Sequence, residues 1–125
     1  MKSNRPIDLP LSQVISVNRS PIAIASILHR ISGIILFLLI PVVLWLLQTS
    51  LASPESFLTV FDNVFLRFLA WIFVAATAYH FVMGVKHLFA DNGQNEELKS
   101  ARTASFVSFV IAAILIVASF VWVMF

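Results

Sequence analysis

The chain has 125 residues, of which 60% are hydrophobic and only 11% are charged. Soluble domains carry about 25% charged residues, so this composition excludes an ordinary water-soluble domain and predicts a single integral membrane unit. The net charge of +2 is too small to indicate nucleic-acid binding, and the lack of cysteine excludes disulfides, thiol nucleophiles and thiolate metal sites.

The first 20 residues form a polar N-terminal segment that contains two prolines. We expect this segment to be extended or to form a short surface helix. Ser20 followed by Pro21 predicts a helix N-cap and a first-turn proline. The first predicted span covers about residues 21–48, and Pro41 inside it predicts a kink, which membrane helices tolerate.

Two further segments reach the roughly 20 apolar residues that a membrane-spanning helix needs. They cover about residues 65–89 and 103–125, and the polar links "ASPES" (52–56) and "DNGQNEELKSAR" (91–102) separate the spans. The predicted fold is therefore an all-α integral membrane protein with three transmembrane helices. Residues 1–20 are assigned to the N-terminal segment and residues 21–125 to one anchor domain.

The basic residues predict how the chain is oriented in the membrane, because cytoplasmic loops carry an excess of Lys and Arg. Seven of the eight lie at the N-terminal side or around the second link, and only Arg67 lies on the opposite side. The N-terminus and the 91–102 link are therefore expected in the cytoplasm and the C-terminus in the periplasm. The seven are Lys2, Arg5, Arg19, Arg30, Lys86, Lys99 and Arg102.

One face of the second span carries His80, Gly84, His87 and Asp91, at spacings of 4, 3 and 4 residues. Ionisable groups inside spans are functional candidates. His80 is either a neutral histidine bonded to a neighbouring helix or an axial haem ligand. Gly84 either leaves room for a porphyrin or permits close helix packing. His87 and Asp91 either lie near haem propionates or are polar residues at the membrane interface.

The first span carries a second polar face with Ser26, Arg30 and Gly33. A hydroxyl and a guanidinium one turn apart can hydrogen-bond a carbonyl oxygen of a lipophilic ligand, and Arg30 can also pair with a haem propionate. The alternatives are contact between Arg30 and lipid phosphates and bonding of Ser26 to its own helix. His29 points about 100° away from Arg30 on the same helix.

A haem held by two histidines would most naturally take one of them from a second chain. His80 and His87 lie on one helix about 10 Å apart along its axis, so they cannot hold one iron from opposite sides. His29 is expected at a shallower depth than His80. The second ligand is therefore expected from another subunit of a heteromeric helix bundle.

Several other residues have simpler interpretations. Asp62 and Arg67 are interpreted as charges at the membrane interface, and Tyr79 as a packing residue. The three tryptophans are interpreted as anchors near the outer ends of their spans: Trp45, Trp71 and Trp122.

Two stretches together resemble one known family. "SILHRISG" (26–33) followed by "HFVMGVKHLFAD" (80–91) and Gly93 is similar to the cytochrome b membrane-anchor subunit of succinate dehydrogenase, respiratory complex II. The resemblance extends to "RPIDL" (5–9), to "SP" (53–54) and to the three-span layout, so it covers nearly the whole chain. The chain differs at Lys86, where the family usually has arginine.

The resemblance implies roles for individual residues. His80 matches the axial ligand of haem b, whose other ligand comes from a second, smaller anchor subunit. Ser26 and Arg30 match the quinone-site residues, and Arg30 also lies near the haem propionates, with His29 and His87 nearby.

The resemblance also implies partners and a location. A flavoprotein subunit with FAD oxidises succinate, and an iron–sulfur subunit, expected against the N-terminal "RP" segment, passes electrons to the membrane surface. This chain then holds ubiquinone there, with its isoprenoid tail in lipid, and catalyses nothing alone. The expected location is the inner (cytoplasmic) membrane.

Two other functions compete with this interpretation. A non-redox membrane scaffold or assembly protein would use its histidines only to bridge helices and would be colourless. The anchor of a fumarate reductase would serve the reverse reaction, although some such anchors lack haem. A transport role would need carboxylates buried in the spans, where this sequence has none.

Overall fold

A computed structural model describes residues 8–125, so Lys2, Arg5 and the start of the "RPIDL" stretch lie outside the described residues. The regular structure of the described part is entirely helical. The elements in chain order are α1 (Leu11–Val17), α2 (Pro21–Ser50), α3 (Pro54–Asp62), α4 (Val64–Asp91) and α5 (Leu98–Met124).

Helices α2, α4 and α5 are each long and apolar enough to cross a membrane. At 1.5 Å per residue they extend about 45, 42 and 40 Å, which exceeds the roughly 30 Å of hydrocarbon and reaches into both headgroup layers. They overlap the three predicted spans, although α5 begins at Leu98 rather than near residue 103. The prediction of an all-α integral membrane protein is confirmed.

The start of α2 follows the sequence signal. The backbone N–H of Ala23 donates to Ser20 Oγ at 3.2 Å, and Pro21 occupies the first turn. Proline is tolerated there because its missing N–H has no partner within the helix. The helix then continues through Pro41 to Ser50.

The link between α2 and α4 differs from the prediction because it contains a helix. Ser53 caps α3, with its Oγ accepting from the N–H of Ser56 at 3.1 Å. Asn63 then separates α3 from α4 in an extended conformation, and its Oδ1 accepts from Phe65 N at 3.0 Å and Leu66 N at 3.2 Å. The link between α2 and α4 therefore contains two capped helix N-termini, at Ser53 and at Asn63.

The cap at Asn63 leads to a first prediction. Asn63→Ala leaves two N–H groups of α4 without their side-chain acceptor, and we expect a loss of about 1 kcal/mol of stability. Thermal unfolding of the purified protein in detergent measures this loss. Asn63→Asp keeps an acceptor oxygen and is the matched control. Equal unfolding temperatures for the alanine and aspartate variants would contradict the capping role.

Small side chains allow α5 to pack closely against α4. Ser105, Ser108 and Ala112 are buried on one face of α5, at spacings of 3 and 4 residues. Small residues permit backbones to approach in membrane bundles. Nearer the start of α4, Trp71 donates from Nε1 to the carbonyl of Ile116 in α5 at 3.4 Å. This predicted interface anchor therefore also forms a hydrogen bond between two helices.

Most of the apolar surface is not covered by the chain itself. Large side chains such as Phe37 and Trp122 are 72% and 80% exposed. Exposed apolar surface on this scale must meet lipid or other subunits. Five apolar residues of the described part are buried: Ala25, Leu46, Val60, Met83 and Ala112.

Gly93 terminates α4, whose last residue is Asp91. Its φ of +79° is a left-handed conformation that favours glycine. The N–H of Gly93 donates to the carbonyl of Ala90 at 3.0 Å, and the N–H of Gln94 donates to that of Phe89 at 3.0 Å. The second bond is typical of a Schellman termination. The polar face of α4 therefore stops directly after Asp91.

Candidate functional site

Packing of α2 against α4 brings the three histidines of the chain together. The rings of His29 and His80 stack with centroids 4.0 Å apart and planes 16° apart. The ring of His87 meets His29 edge-on, with centroids 5.3 Å apart and planes 60° apart. His29 therefore lies between the two histidines of α4, and we call these three residues the histidine cluster.

Two oxygen atoms from α2 contact the same nitrogen of His80. Nδ1 lies 2.9 Å from Ser32 Oγ and 3.1 Å from the carbonyl oxygen of His29. Ser32 also donates its hydroxyl to that carbonyl at 2.7 Å, and its side chain is only 6% exposed. The Nε2 atom of His80 makes no hydrogen bond within residues 8–125.

Two glycines let the imidazole rings approach the helices. A methyl group at Gly33 would lie 3.1 Å from Cε1 of His80, which is tighter than nearly all real contacts of this kind. A methyl group at Gly84 would lie 3.5 Å from Nε2 of His29, an ordinary contact distance. The close approach of His80 therefore depends on the missing side chain at Gly33, whereas a methyl group at Gly84 would still fit beside His29.

An open groove of about 420 Å³ runs along the predicted polar face of α4. His29 contributes to it from α2, and its Nε2 atom is buried with no hydrogen-bond partner in the described part of the chain. A buried polar atom without a partner is costly, so this nitrogen favours a bound group in the groove. The lining residues are His29, His80, Phe81, Gly84, Val85, His87, Leu88 and Asp91.

Ser26 and Arg30 lie near the start of α2, and neither lines this groove. Arg30 is exposed and Ser26 is half-buried. Within residues 8–125 neither side chain makes a hydrogen bond, and Ser26 does not bond to its own helix. Four other serines of the long helices do donate to a carbonyl of their own helix: Ser32, Ser50, Ser105 and Ser119.

Sequence reasoning missed two hydrogen bonds between α2 and α4. The first joins Ser32 to His80. Ser32 stands three residues after His29, a spacing that places both on one face of α2 and could have indicated that Ser32 lies near the histidines. Tyr79 is more than a packing residue, since its hydroxyl donates to the carbonyl of Ala25 at 3.4 Å and joins α4 to α2. Both contacts depend on how the two helices are rotated against each other.

Comparison with known proteins gives the chain its family. Residues 1–119 match the family described as the succinate dehydrogenase/fumarate reductase transmembrane subunit. A protein of Coxiella burnetii named succinate dehydrogenase cytochrome b556 subunit is 36% identical over 127 aligned residues, covering 98% of this chain and 99% of that protein. A protein of the same name from Paracoccus denitrificans is 35% identical over 101 residues, covering 77% of each chain. The chain therefore belongs to the family of succinate dehydrogenase/fumarate reductase transmembrane subunits.

Proposed function

We propose that this chain is the cytochrome b membrane anchor of a succinate:ubiquinone oxidoreductase. It binds haem b together with a second, small anchor subunit, helps to form the site of ubiquinone reduction, and attaches the flavoprotein and iron–sulfur subunits to the membrane. The observation that carries the proposal is His80, whose Nδ1 is held by two oxygens while Nε2 has no partner beside the groove. The names of the two relatives support the same function.

The residues around the groove fit a haem. Neutral imidazole is a common iron ligand, and a ligating histidine almost always bonds through its other nitrogen to a carbonyl or another acceptor. His80 has this arrangement, and the unpartnered Nε2 of His29 gives the groove a further polar contact. His80 is therefore the proposed axial ligand. When bound, the haem supplies a one-electron acceptor next to the quinone site.

His80 would hold the haem from this chain, and the second ligand is proposed to come from outside it. The ring of His29 is stacked on the face of His80, with centroids 4.0 Å apart, so the two imidazoles lie side by side rather than facing each other across a gap. His87 is about 10 Å further along the same helix. These positions support a second anchor subunit as the source of the other ligand.

The propionates of the haem would lie towards the end of α4 that carries His87. His29, His87 and Asp91 form the polar part of the groove there, and the two histidines can face a carboxylate. Arg30, one residue beyond His29 on α2, brings a permanent positive charge to the same end of the bundle. Guanidinium and imidazole groups are suitable partners for carboxylates.

Ser26 and Arg30 are the proposed quinone-binding residues of this chain. Neither side chain is engaged in a hydrogen bond within residues 8–125, and Ser26 lies one turn before Arg30 on α2. Ser26 would donate to a quinone oxygen, and Arg30 would stabilise negative charge that develops on it. The isoprenoid tail would lie against the exposed apolar surface. FAD and the iron–sulfur clusters belong to the partner subunits.

The proposed location is the inner (cytoplasmic) membrane, with the N-terminus in the cytoplasm and the C-terminus in the periplasm. The charge distribution supports it. Five basic residues of the described part lie at the end of the bundle that holds the histidine cluster, and Arg67 lies at the other end. The five are Arg19, Arg30, Lys86, Lys99 and Arg102.

A visible spectrum tests the proposed function. The chain is purified from gently solubilised membranes by a C-terminal tag, and the dithionite-reduced minus oxidised spectrum is recorded. We expect a b-type α-band and co-elution of a flavin-containing and an iron–sulfur protein. A colourless eluate that lacks both partners would contradict the proposal and favour a non-redox scaffold.

A further inference from the structure

We propose that Ser32 is a positioning residue for haem binding, because Ser32 and the carbonyl of His29 together keep the proton of His80 on Nδ1 and leave the lone pair of Nε2 for iron. This inference rests on the proposed haem-binding function. Ser32 itself would not touch the haem, since it acts only through the imidazole.

The positions of the protons follow from the three distances. The carbonyl oxygen of His29 can only accept hydrogen bonds, and it accepts from the Ser32 hydroxyl at 2.7 Å. With its proton committed to that carbonyl, Ser32 Oγ faces His80 Nδ1 at 2.9 Å with a lone pair. The same carbonyl faces Nδ1 at 3.1 Å. In this arrangement both oxygens accept, which favours the tautomer with the proton on Nδ1.

The other tautomer is disfavoured in this environment. With the proton on Nε2, Nδ1 would direct a lone pair at the carbonyl oxygen of His29, which has no proton to offer. Ser32 would then have to turn its proton away from the carbonyl to satisfy Nδ1. Ser32 is 6% exposed, so water cannot readily replace the lost bonds. A neutral His80 therefore has its basic nitrogen at Nε2, the atom that iron requires.

The surroundings also fix the orientation of the ring. Gly33 has no side chain and so leaves room for the edge of the ring that carries Cε1 and Nδ1; a methyl group there would lie 3.1 Å from Cε1 and 3.6 Å from Nδ1. His29 covers one face of the ring at 4.0 Å. A half-turn of the ring about its bond to Cβ would remove Nδ1 from both oxygens. The hydrogen bonds and the packing therefore favour the same orientation.

In the Ser32→Ala complex, the haem is expected to bind more weakly and to have a higher midpoint potential. Loss of such an outer contact typically weakens metal affinity by about 10–100-fold. The remaining imidazole donates less electron density, which disfavours the ferric state. A tenfold preferential loss for ferric iron raises the midpoint potential by about 59 mV. Redox titration of the intact complex, followed at the α-band, measures this shift.

Two further variants separate positioning from general damage. Ser32→Thr keeps the hydroxyl and is expected to restore a potential near that of the wild type. Ser105→Ala removes a buried serine that bonds only to the carbonyl of Ala101 in its own helix, so its potential should be unchanged. A Ser105→Ala shift equal to that of Ser32→Ala would overturn the proposal.

The outcomes also distinguish this inference from the proposed function. If His80→Ala loses the haem while Ser32→Ala keeps the wild-type potential and rate of haem loss, the positioning role is wrong. If His80→Ala retains the wild-type spectrum, the proposed ligand is wrong instead. If Ser32→Ala does not assemble, Ser32→Cys fills the same space but replaces the hydroxyl with a weak hydrogen-bonding group, and an unshifted potential in that variant would overturn the proposal.

Discussion

The complex with His80→Ala is expected to lack the b-type α-band entirely. His80 is the proposed ligand on this chain, and neither His29 nor His87 occupies its position. His29 lies over the ring face of His80, and His87 lies about 10 Å further along α4. The measurement is the reduced minus oxidised spectrum of the purified complex, scaled to its protein concentration.

Tyr79→Phe is the matched control for this experiment. Tyr79 is adjacent to His80 and bonds to the carbonyl of Ala25, but it does not line the groove. The control removes one bond between α4 and α2 and should leave the α-band intact. An α-band of wild-type height in His80→Ala would remove this residue as a ligand. Loss in both variants would indicate that helix packing, rather than ligation, was disturbed.

Ser26→Ala and Arg30→Ala are expected to lower ubiquinone reduction while leaving succinate oxidation with an artificial dye intact. Hydrogen bonds to charged groups contribute about 1.5–3 kcal/mol, so losing Arg30 should slow quinone reduction about 10- to 100-fold. A neutral hydrogen bond contributes about 0.5–1.5 kcal/mol, so losing Ser26 should cost roughly 2- to 10-fold. Steady-state rates with the two acceptors measure both effects.

Each of these variants has a matched control on α5. Arg102→Ala removes an exposed cation from the same end of the bundle, and Ser119→Ala removes a serine that bonds to the carbonyl of Ile116 in its own helix. Both controls should retain quinone reduction. Equal losses of quinone and dye activity in the Ser26 and Arg30 variants would count against a quinone site here.

The fold could be predicted from the sequence where a local signal was sufficient. Long apolar runs indicated the three spans, and Ser20 with Pro21 indicated the start of α2, because both signals lie within one helix. Helix α3 was not predicted. It has nine residues, far fewer than the roughly 20 that a membrane span needs, and its capping residue Ser53 stands in a link that is typical of a turn.

The candidate site was predictable along each helix but not between helices. A period of 3.6 residues placed His80, Gly84 and His87 on one face of α4, and all three line the groove. The same rule could not show that His29 stacks on His80 or that Ser32 bonds to it. Those contacts depend on the rotation of α2 against α4, which is set by packing over the whole length of both helices.

One of the two oxygens beside His80 belongs to the polypeptide backbone, so it is present whichever amino acid is encoded at position 29. The other is a side-chain atom and disappears with a single codon change at position 32. Natural selection on residue identity can therefore act on only one of the two acceptors. If the side chains at positions 29 and 32 were both replaced, the backbone of α2 would still offer the carbonyl oxygen of residue 29 to Nδ1 of His80.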